Sequence, residues 1–217
     1  MPYRRTENVV RRLAARHDAI VQAASALAAE GGIGAVQIAP VSQRAGVATG
    51  TVYRYFPSKD ELIAALVDDV SEREIGAMRR AADAAPGPLS ALAAAITTYA
   101  ARALGSRKLA FALIAEPADA ADAARLAFRA ALTAEFGKRM VAAIAAGHLP
   151  EQDIAVTAPA LTGALIEGLL GPLAADARDE AGTREAVQTL TLFALRGLGV
   201  ADARARGLVV QTRMPGR

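Results

Sequence analysis

The chain has 217 residues, of which 53% are hydrophobic and 22% are charged, so it is long enough for one large or two small globular domains. It contains no cysteine, which excludes disulfide bonds and thiolate metal sites. The formal net charge is only +3, and the abundance of alanine with few β-branched runs predicts an all-α fold.

The first part of the chain carries the positive charge. Residues 1–59 hold eight Lys and Arg residues against three Asp and Glu residues, whereas the rest has a slight acidic excess. We expect a mobile basic arm over residues 1–11, followed by a helix over 12–30 that ends at Gly31 and Gly32. The N-terminal residues lack the apolar segment of a secretion signal, so a cytoplasmic protein is expected.

Two short helices separated by a glycine come next. The pattern predicts a helix over 38–45, a turn at Gly46 and a second helix over 49–55, which Pro57 stops. This arrangement is typical of a helix-turn-helix unit, whose second helix enters the major groove of DNA. Val47 and Val52 are expected to face inward, and Phe56 is expected in the core.

The remaining side chains of the second short helix are suited to DNA. Their hydroxyls can donate to phosphate oxygens, a guanidinium can pair with phosphate or guanine, and a glycine permits close approach. The predicted DNA-contact residues are Thr49, Gly50, Thr51, Tyr53, Arg54 and Tyr55, with Gln43, Arg44 and Lys59 nearby. Aromatic residues at helical spacing are often core, and for Tyr53 that alternative stays open.

A fourth helix is predicted from Ser58 to about residue 80. Ser58 and Glu61 form a capping box, and Asp60 is favourable in the first turn. Lys59 opposes the helix dipole there. A cation at this position makes sense where an anion binds the free N–H groups of a helix start, so we interpret Lys59 as a phosphate clamp.

The stretch AGVATGTVYRYFPSKDEL, residues 45–62, resembles the DNA-binding domain of TetR-family transcriptional regulators, and the similarity extends over roughly residues 12–80. The resemblance implies a homodimeric repressor that binds a palindromic operator in double-stranded DNA. It also implies a helical C-terminal domain that binds a small-molecule inducer, whose identity is unknown. The family's DNA contacts correspond to the residues named above, with Arg54 at a variable position.

The chain departs from the family pattern at several positions. Where family members often begin the second helix with Thr and continue with Arg-Asp, this chain has Gln37, Ala39 and Pro40. These changes remove an expected cap and a phosphate contact. A serine usual before the third helix is replaced by Ala48, so Thr49 is a candidate cap as well as a DNA contact.

The run APGP at 85–88 is the strongest boundary in the sequence. We predict a DNA-binding domain over 1–84 and a ligand-binding and dimerisation domain over 85–217. Helices are expected near 88–104, 107–116, 119–146, 153–171 and 183–199, about nine in the whole chain, with a frayed basic tail over the last 18 residues.

A ligand pocket is expected between the helices of residues 88–171. Its candidate lining residues are Tyr99, Arg102, Phe111, Glu116, Phe128, Phe136, Met140 and Glu167. The last two predicted helices are apolar on nearly all sides, which favours a two-fold, four-helix interface over a single larger core. The candidate interface residues are Ala160, Gly163, Ala164, Glu167, Val187, Leu190, Ala194 and Leu198.

Other functions find less support in the sequence. There is no HExxH, phosphate-loop or nucleophile-elbow motif, so we predict no catalytic residue, no metal ligand, no cofactor and no enzyme activity. The apolar segment 154–175 is interrupted by Pro159 and Glu167, which favours a buried helix over a membrane span. Two alternatives stay open: a non-specific architectural DNA-binding protein that uses arginines 4, 5, 11 and 12, and a helical-bundle enzyme or carrier.

Overall fold

The computed structural model describes residues 3–116, 122–174 and 179–214, with side chains from Asn8 onward. Within those residues the prediction of an all-α fold is confirmed, with ten α-helices and a 3-10 turn at Ile33–Ala35. The helices are α1 (Tyr3–Gly31), α2 (Ile38–Arg44), α3 (Thr49–Tyr55), α4 (Lys59–Asp83), α5 (Pro88–Gly105), α6 (Arg107–Ile114), α7 (Asp122–Ala145), α8 (Ile154–Leu170), α9 (Glu180–Gly197) and α10 (Asp202–Gln211).

The first helix is longer than the sequence predicts. It begins at Tyr3, so the prediction of a mobile arm is wrong for residues 3–11. No proline or glycine interrupts the sequence between Tyr3 and Gly31, and the Arg11 guanidinium donates to the Asn8 side chain one turn earlier at 3.0 Å. The helix ends where predicted, because Gly32 adopts a left-handed φ of 72°.

Helices α2 and α3 form the predicted helix-turn-helix. Gly46 has a φ of 64°, and the N–H of Val47 donates to the carbonyl of Ser42 at 3.0 Å to close the turn. Val52 and Phe56 are buried in the core, as predicted. Burial of this inner side fixes which face of α3 is left outside.

Helix α4 joins the helix-turn-helix to the rest of the molecule. The hydroxyl of Ser58 accepts a hydrogen bond from the N–H of Glu61 at 3.1 Å, as the capping pattern predicts. Over its 25 residues α4 packs against α1, α5 and α7. A displacement of α4 would therefore disturb its contacts with α1 in the N-terminal part and with α5 and α7 in the larger helical part.

Helix α5 lies at the centre of the larger helical part, where it contacts α4, α7, α8 and α9. Buried hydroxyl pairs tie these helices together: Thr97 and Thr191 lie 3.3 Å apart across α5 and α9, and Thr133 donates to Thr162 at 3.0 Å across α7 and α8. The predicted residues 119–121 fall outside the described ranges. No helix in those ranges is long and apolar enough to cross a bilayer.

A network of charged side chains links α4 to α7. The carboxylate of Glu135, only 2% exposed, accepts hydrogen bonds from Arg79 at 2.9 Å and from Arg139 at 2.8 Å. Arg139 also donates to Asp83 at 2.8 Å. Burial alone would raise the pKa of Glu135, but the bonds from the two arginines outweigh it and hold that pKa below its ordinary value.

The C-terminal residues form a helix that the sequence analysis missed. We expected a frayed tail, but α10 runs over ten residues and packs against α9 and α5. Asp202 in its first turn accepts hydrogen bonds from Arg196 and Arg206, and Ala205 is buried. Asp202 and Arg206 of the expected tail, together with Arg196 of α9, therefore stabilise the start of this helix.

Candidate nucleic-acid interface

The outer face of α3 presents a polar surface to solvent. Thr49, Gly50, Tyr53 and Arg54 are exposed, whereas Val52 on the opposite side is fully buried. Thr49 and Tyr53 are one helical turn apart, as are Gly50 and Arg54, and the two pairs are adjacent, so all four residues lie on one side of the helix. Thr51, also a predicted contact, is half-buried at the edge of this surface.

Two details show that this face is not shaped by packing within the protein. A Cβ added at Gly50 would meet no atom within 4 Å, so nothing in the chain itself requires a glycine there. Tyr53 leaves 50% of its surface exposed although its ring could have been buried. The alternative of Tyr53 as a core residue is therefore wrong.

Lys59 opens α4, directly after α3 and the Pro57 break. Its side chain is half-buried and makes no ion pair or hydrogen bond within the described residues. The first-turn N–H groups of α4 lie beside it, and Ser58 satisfies the one of Glu61. Lys59 thus begins α4 four residues after the last residue of α3, and its charge has no ion-pair partner within the described residues.

Tyr55 does not fit the predicted role of phosphate donor. Its hydroxyl is buried without a hydrogen-bond partner, and its ring lies edge-on to His17 of α1 at 6.4 Å between centroids. The Arg54 guanidinium carbon lies 5.8 Å from the same ring. Because α1 covers the phenol oxygen, Tyr55 supports α3 from behind and is a correction to the predicted contact set.

Gln43 and Arg44 lie at the exposed end of α2, but Arg44 is already engaged. Its guanidinium makes a bidentate pair with Glu30 of α1, with bonds of 2.7 and 3.0 Å. The hydrogen bond from Arg44 lowers the pKa of Glu30. A DNA phosphate would have to displace that carboxylate to reach Arg44.

The predicted ligand residues of the C-terminal part separate into several environments. Tyr99 and Phe128 line a small, partly open cavity of about 30 Å³ between α4, α5, α6, α7 and α8. The Tyr99 hydroxyl is buried there without a partner, and burial raises its pKa. Phe136 packs against the Tyr99 ring at 6.2 Å, and Phe136 and Met140 belong to the core rather than to the cavity wall.

The other four predicted ligand residues lie outside that cavity. Arg102 makes a bidentate pair with Glu74, at 2.6 and 2.8 Å, and faces a different groove. Phe111 is exposed, and Glu116 bonds to the backbone after α1. Glu167 is exposed on the outer side of α8. For these residues the prediction of a common pocket is wrong, because helical spacing did not fix which side faced inward.

The predicted interface residues of α8 lie on its outer side. Ala160, Gly163, Ala164 and Glu167 are all exposed, and Val156 extends the same face toward the start of the helix. The first three have small side chains that would allow a second helix to approach closely. Whether they contact a second copy stays a prediction.

The predicted interface stripe on α9 is wrong. Val187, Ala194 and Leu198 are buried within the subunit, and Leu190 is half-buried against Gly168 of α8, where an added Cβ would lie 2.9 Å from Leu190 Cδ2. The large apolar side chain that α9 leaves exposed is Phe193, which the sequence analysis did not select. Thr189, Phe193 and Gly197 are spaced four residues apart and share a separate face of α9. That spacing is the sequence signal that could have indicated an exposed Phe193.

Comparison with known proteins identifies the first part of the chain. Residues 20–66, which include the end of α1, all of α2 and α3 and the start of α4, match the family described as bacterial regulatory proteins, tetR family. This segment of the chain is therefore a TetR-type helix-turn-helix. The matched segment contains the exposed α3 face and Lys59.

Curated relatives match over part of the chain only. The HTH-type transcriptional repressor KstR of Mycolicibacterium smegmatis is 43% identical over 77 residues, which cover 36% of this chain and 38% of that protein. KstR of Mycobacterium tuberculosis is 52% identical over 48 residues, 22% of each chain. The chain thus matches less than two fifths of the length of these relatives.

Solved structures extend the likeness to the whole fold. RolR in complex with resorcinol has a TM-score of 0.70 at 21% identity and covers 95% of this chain and 98% of that one. FadR from Bacillus halodurans has a TM-score of 0.72 at 22% identity, with 86% and 97% covered. FadR from Bacillus subtilis in complex with stearoyl-CoA has a TM-score of 0.67 at 20% identity, with 80% and 96% covered.

The departures from the TetR pattern have local consequences in the structure. Gln37 precedes α2 without capping it and instead donates to the carbonyl of Gly34 at 2.9 Å. Ala48 precedes α3, again without a side-chain cap. Thr49 does not replace that cap, because its hydroxyl lies 3.2 Å from the hydroxyl of Ser42 in α2. This contact joins the two helices of the TetR-type motif directly.

Proposed function

We propose that the protein is a sequence-specific DNA-binding transcriptional regulator, a ligand-responsive repressor that acts as a homodimer on a palindromic operator. The observation that carries the proposal is the exposed face of α3. That face gathers two hydroxyls, a guanidinium and a glycine with open space around it, while its other side is locked into the core. Residues 1–84 would bind DNA, and residues 85–217 would bind ligand and partner.

The proposed DNA contacts follow from the chemistry of that face. In the major groove, Arg54 would pair with a guanine edge or a phosphate, and Tyr53 would donate to a phosphate oxygen. Thr49 would donate to a phosphate oxygen in exchange for its contact with the Ser42 hydroxyl. Gly50 would lie closest to the groove floor. Lys59, with its uncompensated charge beside the α4 N-terminus, would grip the phosphate next to the groove.

A homodimer would place two α3 helices on one face of the DNA. The outer side of α8, with Ala160, Gly163 and Ala164, supports close helix packing, and Phe193 of α9 offers a large exposed apolar group. Two-fold symmetry would pair each helix with its copy. The two reading helices would then contact half-sites about 34–36 Å apart, or a multiple of one turn.

The cavity at Tyr99 and Phe128 is the proposed inducer site. RolR is known with resorcinol and a FadR with stearoyl-CoA, which are very different molecules held by similar folds. A ligand with a hydrogen-bonding group would satisfy the buried Tyr99 hydroxyl, and any ligand larger than the present cavity would have to move the surrounding helices. Because α4 lines this cavity, such movement would reach the DNA-binding helices.

Selection of bound fragments from genomic DNA tests the proposal. The purified protein should enrich one palindromic sequence over excess competitor DNA, and a double variant Tyr53→Ala/Arg54→Ala should lose that enrichment. A double variant on a distant exposed surface, Lys138→Ala/Val141→Ala, serves as control. Retention of all fragments without a shared sequence would instead support an architectural protein.

A further inference from the structure

A groove larger than the cavity at Tyr99 lies on another side of α4 and α5. Its volume is about 580 Å³, and its third wall is α10 with the residues that follow it. We call it the α10 groove, after the helix that closes it. It shares no lining residue with the cavity at Tyr99, although the Arg102–Glu74 ion pair stands between them, with Arg102 facing the groove and Glu74 the cavity.

All the charged side chains that line the α10 groove are positive. Its charged lining side chains are three arginines, Arg80 of α4, Arg102 of α5 and Arg213 after α10, and no carboxylate lines it. Arg102 is neutralised by Glu74. Arg80 and Arg213 make no ion pair within the described residues, so the groove retains two uncompensated positive charges.

The position of Arg80 depends on a glycine. A Cβ added at Gly76, one turn earlier on α4, would lie 3.2 Å from a terminal nitrogen of the Arg80 guanidinium. The guanidinium of this exposed side chain therefore lies back along α4, over the surface that Gly76 leaves open. This holds its charge at the wall of the groove.

The rest of the lining is apolar, with hydroxyls between. Five alanines of α4, its end and α5 form the floor, and Pro86, Leu208 and Met214 form the sides. Ser90, Thr98 and Thr212 add hydroxyls that can donate or accept hydrogen bonds. A concave apolar surface of this volume with a few polar groups is typical of a small-molecule site.

We propose that the α10 groove is a second ligand site and that it binds a small amphipathic carboxylate. The carboxylate would lie between Arg80 and Arg213, and the apolar body along the alanines, Leu208 and Met214. Charge complementarity selects an anion, and a concave alanine-lined floor of this volume favours an aliphatic or small aromatic body over a macromolecule. The site is additional to the proposed inducer cavity and does not depend on DNA binding.

Titration of the full-length protein with octanoate tests the site. Calorimetry gives the Kd, and NMR of protein labelled with ¹³C at the methionine methyl groups reports the location. Of the four methionines, Met214 lines the groove whereas Met140 is buried in the interior. We expect octanoate to shift the Met214 methyl signal and leave that of Met140 in place.

Variants separate the groove from non-specific binding. Arg80→Gln and Arg213→Gln should each weaken octanoate binding about tenfold, the equivalent of about 1.4 kcal/mol. Arg73→Gln, also an exposed arginine of α4 but paired with Asp69 outside the groove, should leave the Kd unchanged. Octanamide has the same shape without the charge. Its Kd for the parent protein should be at least as high as the Kd of octanoate for Arg80→Gln.

Three results would overturn the proposal. Kd values of Arg80→Gln and Arg213→Gln within twofold of the parent would show that these arginines do not bind the carboxylate. A shift of Met140 alone would assign octanoate to the interior. A change of oligomeric state in Arg80→Gln without octanoate binding would assign the groove to a second copy of the chain. None of these readouts involves DNA, so the proposed regulator function stands or falls separately.

Discussion

The carboxylate of Glu116 accepts a hydrogen bond from the backbone N–H of Ile33 at 3.0 Å, across 83 residues of sequence. Glu116 follows α6, whereas Ile33 begins the 3-10 turn after α1, so the bond joins the larger helical part to the TetR-type domain. Gly32 makes room for it, because a Cβ there would lie 2.9 Å from the Glu116 oxygen. One carboxylate thus holds the turn that precedes α2.

Removal of this carboxylate should loosen the junction. We expect Glu116→Ala to expose the Ile33 amide to hydrogen exchange and to lower the free energy of unfolding by about 1–2 kcal/mol, since a charged acceptor of a backbone N–H is lost. Glu116→Gln keeps an acceptor oxygen at the same place and is the matched control. Equal exchange rates of the Ile33 amide in the parent and in Glu116→Ala would contradict the expectation.

Glu135 should make stability depend on acid pH. Its pKa in the folded state lies below its ordinary value near 4.5, so its contribution is fully present above that pH and is lost as the pH falls through the folded-state pKa. We expect Glu135→Gln to destabilise the protein strongly at pH 7, by about 3 kcal/mol because Arg139 loses its buried partner. The difference in the free energy of unfolding between Glu135→Gln and the parent should become smaller below pH 4.5.

Urea unfolding of both proteins between pH 7 and pH 3.5 measures that gap. Glu185→Gln, an exposed carboxylate of α9, is the control and should follow the parent at every pH. A gap that stays constant with pH would show that the loss in Glu135→Gln comes from packing and not from the ionised carboxylate.

The local signals of the sequence predicted the helix-turn-helix closely. Gly46, Pro57 and Ser58 act within a few residues of themselves, through a left-handed φ, a missing N–H and a side-chain cap, so their effects can be read without the rest of the fold. For the same reason the bounds of α3 and the inward direction of Val52 were predicted correctly.

Features set by distant packing were not predictable in this way. Tyr55 has a hydroxyl of the kind that contacts DNA phosphates, but His17 from α1 lies against its ring and that hydroxyl is buried. Helical spacing on α9 defined several stripes without showing that the one with Val187 and Ala194 faces inward. The α10 groove needed the fold itself, because its arginines lie up to 133 residues apart in the sequence.

Lys59→Ala should weaken binding to all DNA sequences alike. Each phosphate contact contributes about 0.9 to the slope of log K against log salt, so a dimer that loses two should change its slope by roughly 2. Lys138→Ala removes an exposed lysine of α7 and should leave the slope unchanged. Fluorescence anisotropy at several salt concentrations measures both, and an unchanged slope for Lys59→Ala would exclude the phosphate clamp.

The two tyrosines of α3 should respond oppositely to loss of the hydroxyl. Tyr53→Phe removes an exposed donor, so operator affinity should fall by roughly 1 kcal/mol with stability unchanged. Tyr55→Phe removes a buried hydroxyl without a partner, so stability should rise by about 1 kcal/mol with affinity unchanged. Anisotropy and urea unfolding test the pair together, and a loss of affinity in Tyr55→Phe alone would return that residue to the DNA surface.

Phe193→Glu should separate the proposed dimer. Phe193 is 62% exposed within one subunit, so a carboxylate there costs the monomer little, whereas two of them facing each other across a two-fold axis would be desolvated and would repel. Sedimentation velocity should then show monomers at concentrations where the parent is dimeric. Leu126→Glu introduces the same charge at an equally exposed apolar position of α7 and should stay dimeric. If both variants remain dimers, the interface lies elsewhere than the outer face of α9.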